Sequence, residues 1–168
     1  VALSLALAAP ALAQAPAVAP APSTAPAAVP VPAAPPAPYG APIGFEQARK
    51  AADAAEAEAR KNGWNVAIAV VDPGGDLVYL RRLDGTQTAS VRIAEGKAAT
   101  AVAFRRPTKA LEDSLQSTTR ILAIPGIMPL EGGFPIVVDG RIVGGIGVSG
   151  VLSSQDAVIA RAGTDALK

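Results

Sequence analysis

Residues 130–150 read LEGGFPIVVDGRIVGGIGVSG, from Leu130 to Gly150, and the architecture turns on them. Ile136-Val137-Val138 and Arg141-Ile142-Val143 are β-branched runs on either side of Asp139-Gly140. A type I′ turn needs positive φ at both central residues, and Asp-Gly between such runs meets that need. The spacing therefore predicts an antiparallel hairpin. Around it lie Gly132, Gly133, Gly144, Gly145, Gly147 and Gly150. Glycine inside a strand marks a bulge, or a place where another backbone or a ligand comes close. This part of the sheet is kept bare.

Upstream, Phe45–Asn62 reads as a helix, with Phe45, Ala48, Ala52, Ala55 and Ala59 at 3–4 spacing. Glu46/Lys50 and Glu56/Arg60 are oriented as i,i+4 pairs, and Gly63 is a C-terminal stop. Trp64 reads as a core anchor. Two strands follow, Asn65–Val71 and Leu77–Arg82, joined by the turn Asp72-Pro73-Gly74-Gly75-Asp76. Arg81-Arg82-Leu83-Asp84 at the second strand's end is either a solvated charge cluster or an anion clamp, since arginine presents a planar fork to carboxylates.

Thr88–Phe104 is a second helix with two faces. Val91, Ala94, Ala98 and Val102 form a sheet-facing stripe, and Ile93, Lys97, Thr100 and Phe104 form another. Either Lys97 snorkels while Thr100 bonds back to its own helix, or the two face a ligand or a neighbouring subunit. Pro107 opens a third helix running to about Gln116, with Leu111 and Leu115 inward. Ile121–Met128 is an apolar, irregular connector leading into a short strand and the hairpin. Ser153 is placed to cap a last helix over Ala157–Leu167, with Asp156 at its dipole-favoured end. Hairpins alternating with helices give an α+β fold, one antiparallel sheet of about five strands covered by helices.

The first 45 residues carry no Asp, Glu, Lys or Arg and hold eleven of the sixteen prolines. Residues 1–13, an apolar run ending in Ala11-Leu12-Ala13-Gln14, match the core and cleavage site of a secretory signal peptide. The charged start of such a leader and an initiator Met are missing, so the sequence reads as truncated there. Pro10 breaks the run well short of the ~20 residues that a transmembrane helix needs. Residues 14–43 are an Ala/Pro-rich extended tether, and 44–168 form one domain. A periplasmic or extracellular location follows from the leader.

The chain has neither cysteine nor histidine, which excludes disulfides and thiol nucleophiles and removes the commonest general base and metal ligand. A net charge of +1 excludes a nucleic-acid binder with a strong basic footprint. No catalytic triad, paired carboxylates or phosphate loop is present. A catalytic reading would rest on Lys97 as base or Schiff-base amine, with Asp72, Asp84 or Glu131 as partner, and needs burial to lower the amine's pKa.

Several motifs recur together: Val70-Val71-Asp72-Pro73-Gly74-Gly75, Arg82-Leu83-Asp84-Gly85, Lys97-Ala98-Ala99-Thr100-Ala101, Pro107-Thr108, Gly132-Gly133-Phe134-Pro135-Ile136 and Gly144 through Gly150. In this order, over Phe45–Leu167, they resemble the GlcG/HbpS-like haem-binding family, which includes the C-terminal domain of PduO-type proteins. The resemblance implies a profilin-like fold, homo-oligomers (often octamers), haem or another tetrapyrrole as ligand, and links either to iron and redox sensing with a sensor-protein partner or to haem degradation. It places Thr108 at the position of a threonine that touches haem iron, with Thr100 close by. Without histidine, the remaining ligand candidates are Thr108, Thr100, Tyr79, Lys97 and Met128, so a haem site should be modest in affinity. The expected groove lies between the Lys97/Thr100 helix face and the loop of Gly132, Gly133 and Pro135. Arg81, Arg82 or Arg106 would meet the propionates. The other readings are a small hydrophobic ligand without haem, as in accessory proteins of metabolic operons, and an oligomer that uses these faces as interfaces.

Overall fold

A computed structural model describes residues 35–168. The expected signal peptide and the tether as far as residue 34 lie outside the described residues. Four helices and four strands follow in the order α1 (Phe45–Lys61), β1 (Ala67–Val71), β2 (Leu77–Arg82), α2 (Ala89–Phe104), α3 (Thr108–Ser114), β3 (Gly133–Val138), β4 (Arg141–Ser149) and α4 (Ser153–Asp165), with a short 3-10 turn at Arg120–Ala123. The sheet is antiparallel with strand order β2-β1-β4-β3. The α+β class is as expected, with four strands rather than about five. The segment before β3 does not form a strand of its own; there Val148 N–H donates to Gly132 O at 3.0 Å.

The Asp139-Gly140 turn has φ of 49° and 72°, both positive as a type I′ hairpin requires. Strand alternation then sorts the sheet into two faces. Ile68, Val70, Ile146 and Val148 pack with Phe134 and Ile136 under α1 and α4. Fully burying each aliphatic side chain contributes roughly 1.5–3 kcal/mol, so this face holds most of the core. On the other face Ala67, Ala69 and Val71 lie against Val91, Ala94, Ala98 and Val102 of α2, the stripe that the helical period singles out.

The bare hairpin now has its reason. A Cβ at Gly147 would run into the Ala94 carbonyl oxygen and the Ala98 amide nitrogen, and one at Gly145 into Val102. At Gly133 it would meet the Lys97 carbonyl. The glycines admit helix α2 backbone-close to the sheet. Gly163 of α4 plays the same part against the Ala51 carbonyl and Ala55 of α1.

Residues 38–43, expected as the end of the tether, are seated on the domain. Ile142 N–H donates to Pro38 O and Gly40 N–H to Ile142 O, both at 2.8 Å, and Ile43 N–H donates to Val143 O at 2.7 Å. Ile43 is buried, and the Tyr39 hydroxyl donates to Val102 O at 2.9 Å, sealing the end of α2. Smaller differences are local. Glu46 pairs with Arg49 rather than Lys50. Helix α4 starts at Ser153, with Leu152 as its cap and the Gln155 side chain accepting from Leu152 N–H. Ser153 therefore does not cap it. Trp64 is only half-buried.

Candidate functional site

The Lys97 side chain is neither snorkelling nor facing outward. It leaves α2, passes Gly132 and ends 2.8 Å from Asp156 Oδ2 and 2.9 Å from Val148 O, with both charged side chains 2% exposed. Gly132, at φ +116°, has no room for a side chain, since a Cβ there would lie 2.9 Å from Lys97 Nζ. Asp156 also accepts from Val151 N–H at 3.2 Å. Burial pushes the Asp156 carboxyl above its ordinary value, against the pull of Lys97 and of the Val151 and Gly150 amides. Asp72, which accepts from the amides of Gly74 and Asp76 in its own turn, is not brought to this amine, nor is Asp84 or Glu131. The carboxylate partner of Lys97 is Asp156.

Thr108 is equally committed. It is fully buried at the start of α3, and its Oγ1 accepts from Gly133 N–H at 2.9 Å. One turn on, Glu112 accepts from Glu131 N–H at 2.8 Å, so α3 fastens the loop leading into β3. The Thr108 hydroxyl, expected to touch a ligand iron, is turned to the Gly133 backbone in this packing. The Thr100 hydroxyl accepts from Met128 N–H at 2.8 Å, holding the connector to α2. The groove expected between Lys97/Thr100 and Gly132/Gly133 is therefore closed, because the loop packs straight onto the helix.

A groove opens instead on the far flank of α2. It has a volume of about 260 Å3 and is walled by Gly75, Thr100, Ala103, Phe104, Ile124 and Ile127. Ile124 is 44% exposed within it. Arg106 is tied to the backbone of one wall residue, its Nε donating to Phe104 O at 3.2 Å. The other basic candidates are engaged elsewhere. Arg81 is bound to Asp53, Glu56 and Tyr79 on the α1 side. Arg82 donates to Thr86 O at 2.7 Å and pairs with Ala67, at the opposite end of β1 from the Gly74-Gly75 turn. Pro135 lines a separate depression on β3 with Phe134, Val137 and Arg161. The structure thus unites Lys97, Thr108, Gly132 and Gly133 as a buried cluster, places Thr100 at an open groove with Arg106 bonded to the backbone of Phe104 in its wall, and leaves Arg82 and Pro135 apart.

Sequence reasoning missed Asp156 as the partner of Lys97, having only its place in a helix's first turn, and missed the role of Ile124 and Ile127. The signal for the latter was present in an apolar connector with no pattern of its own. Among the described residues, no group of acidic side chains is arranged to hold a metal ion, and no helix is long and apolar enough to cross a membrane.

Residues 43–165 match the family model described as haem degrading protein HbpS-like. The protein GlcG of Escherichia coli strain K12 is 44% identical over 97 residues, covering 57% of this chain and 72% of GlcG. The crystal structure of HbpS superposes with a TM-score of 0.73 at 39% identity, covering 77% of this chain and 92% of HbpS. A solved complex of PduOC with heme superposes with a TM-score of 0.69 at 26% identity, covering 76% of this chain and 96% of that one. Haem binding is thus found within the group to which this fold and these motifs lead. The chain is a member of the HbpS-like family, together with GlcG and the PduO C-terminal domain.

Proposed function

We propose that this chain is an exported haem-binding module, held in the periplasm or outside the cell, which binds the tetrapyrrole at the groove on the outer flank of α2. The observation that carries the reading is that groove itself. It is the apolar concavity that Thr100, Phe104, Ile124 and Ile127 wall, with Arg106 bonded to the backbone of Phe104, in a chain whose relatives include a heme complex. Apolar walls with a few placed polar groups are what a cofactor site requires. Arg106 is the candidate partner for a propionate, because guanidinium and carboxylate match in geometry.

The donor set suits a haem held by its faces and propionates, not one clamped through its iron. Thr108, Thr100 and Lys97 are occupied by Gly133, Met128 and Asp156, and the Tyr79 hydroxyl accepts from Arg81. The Met128 thioether, half-buried against Gly96, is the remaining candidate. When bound, haem supplies a redox-active iron; the protein supplies apolar cover and one cation. The groove lies just below the usual ~300–1,000 Å3 of small-molecule sites, so we assign the rest of the cover to a second copy in a homo-oligomer. A sensing role, passed to a partner protein, accords with weak, reversible binding.

Titrating the full chain with haemin and following the Soret band tests this. Saturable binding is expected, weakened at least tenfold by Ile124→Glu, which places a charge in the groove at an already exposed position. A non-saturating response, or equal binding by the variant, overturns it.

A further inference from the structure

At the opposite end of β1 from the haem groove, the chain builds a second concavity that the haem reading does not use. Two hollows of about 240 and 370 Å3 share Trp64 and Asn65 as a common ridge. Arg60 and Asp84 stand on one side, Gly85 and Gln87 on the other. We propose that this cleft binds a neutral oligosaccharide, one sugar ring to each side of the ridge.

The argument is chemical. Trp64 is half-buried against the core, so its indole is rigid while part of it faces the cleft. An aromatic side chain with an apolar body and a wet edge suits a ligand that is itself apolar on one face and polar around its rim. The side chains of Trp64, Asn65, Asp84 and Gln87 make no hydrogen bond among the described residues, and the last three are exposed. Together they offer an indole N–H, two amides with both donor and acceptor, and a carboxylate acceptor. Hydroxyl-rich rings need this mixture of donors and acceptors.

Charge excludes the obvious competitors. Arg60 is paired with Glu56 at its own helix end and Arg82 is turned to Thr86 O, so neither guanidinium is aimed into the hollows, which are also too polar for a purely hydrophobic ligand. Backbone geometry keeps the cleft open. Gly63 and Gly85 both have positive φ, and a Cβ at Gly85 would lie 3.0 Å from Asn65 Nδ2. The Asp84–Gln87 loop is turned by Thr86 N–H donating to Leu83 O at 3.2 Å. Thr86 Oγ1 is the buried side-chain polar atom left without a partner among the described residues.

Trp64 is the only tryptophan in the chain, so tryptophan emission, excited selectively over Tyr39 and Tyr79, reports on this cleft. The full chain is titrated separately with cellotriose, maltotriose and chitotriose. A saturable change in Trp64 emission with at least one of them is expected, weakened fivefold or more by Asn65→Ala and by Asp84→Ala. Both residues are exposed, so neither change disturbs the core. Ile124→Glu, in the haem groove, should leave the saccharide response as it is. The inference is overturned if none of the three sugars gives a saturable change, or if both cleft variants respond as the parent does. Neither result bears on haem binding.

Discussion

Lys97 Nζ lies 2.8 Å from Asp156 Oδ2, with both side chains removed from water. The pair joins α2 on one face of the sheet to α4 on the other, past the end of β4 where Val148 O takes a further amine hydrogen. Removing one member of such a pair leaves an uncompensated buried charge, which costs about 3–5 kcal/mol, whereas replacing both by apolar residues is often close to neutral. Urea unfolding should therefore show Lys97→Met and Asp156→Ala each losing several kcal/mol, and Lys97→Met/Asp156→Leu losing less than either. A double variant as unstable as the sum of the two singles would contradict this account of the pair.

Thr108→Val should destabilise by about 1–3 kcal/mol, because it strands the buried Gly133 N–H. Thr108→Ser, which keeps the acceptor, should lose less. The loss is expected with no haem present, and hydrogen exchange at the Gly133 amide should quicken in Thr108→Val alone. A valine variant of unchanged stability would mean that the hydroxyl is free for another role.

Gly147→Ala sets a Cβ against backbone atoms of Ala94 and Ala98. Overpacking costs typically ~1–3 kcal/mol and more where backbone must move; here helix α2 itself would have to lift. A drop of at least about 3 kcal/mol in thermal or urea unfolding is expected. Gly44→Ser is the control. Nothing lies within 4 Å of a Cβ there, and serine replaces glycine at a helix N-cap with a change of a few tenths of a kcal/mol.

The charges of α1 and β2 predict a pH dependence. Arg49 bridges Glu46 and Asp53, Asp53 and Glu56 both hold Arg81, and Arg60 pairs with Glu56. Burial alone would raise the Glu56 carboxyl, but the hydrogen bonds from Arg60 and Arg81 outweigh it and hold the group below its ordinary 4.5. A carboxylate more acidic in the folded than in the unfolded chain stabilises the fold above the unfolded value, and that stability is lost as pH falls through the folded one. Stability should thus decline below about pH 4.5, and Glu56→Gln should flatten that part of the curve. An unaltered acid limb in the variant would show that this network contributes nothing there.

Tyr39→Phe removes the hydroxyl that donates to Val102 O and should cost about 1 kcal/mol. A truncation starting at Gly44 should cost more, since it also removes the Pro38, Gly40 and Ile43 backbone bonds to β4. Equal stability of the full chain and the truncation would show that the docked segment is not part of the folding unit.

Much of this fold is legible from residue pattern alone. The positive-φ pair Asp139-Gly140, the Val91/Ala94/Ala98/Val102 stripe and the limits of β2 all follow from local chemistry, because turn dihedrals and helical or strand periods are properties of a few neighbouring residues. The glycine-rich β4 was legible as a bare surface. What it was bare for was not, since a ligand and a helix backbone make the same demand on a strand. The site was read less well for a related reason. Lys97 and Thr100 stand out in the sequence as polar residues between apolar ones, and Thr108 through the family resemblance, but such residues are satisfied by partners remote in sequence. Asp156, Met128 and Gly133 lie 59, 28 and 25 residues away.

Residue order alone was enough for the α+β class, the hairpin, the helix faces, the lack of histidine and cysteine, and the likeness to the HbpS-like family. Packing was needed to show that the Lys97 amine is spent on Asp156, that the Thr108 hydroxyl accepts from Gly133, and that the open groove lies on the other flank of α2. The physical reason is that a buried polar group must be paired, and which partner it finds depends on how the layers stack, not on the residues beside it in the chain.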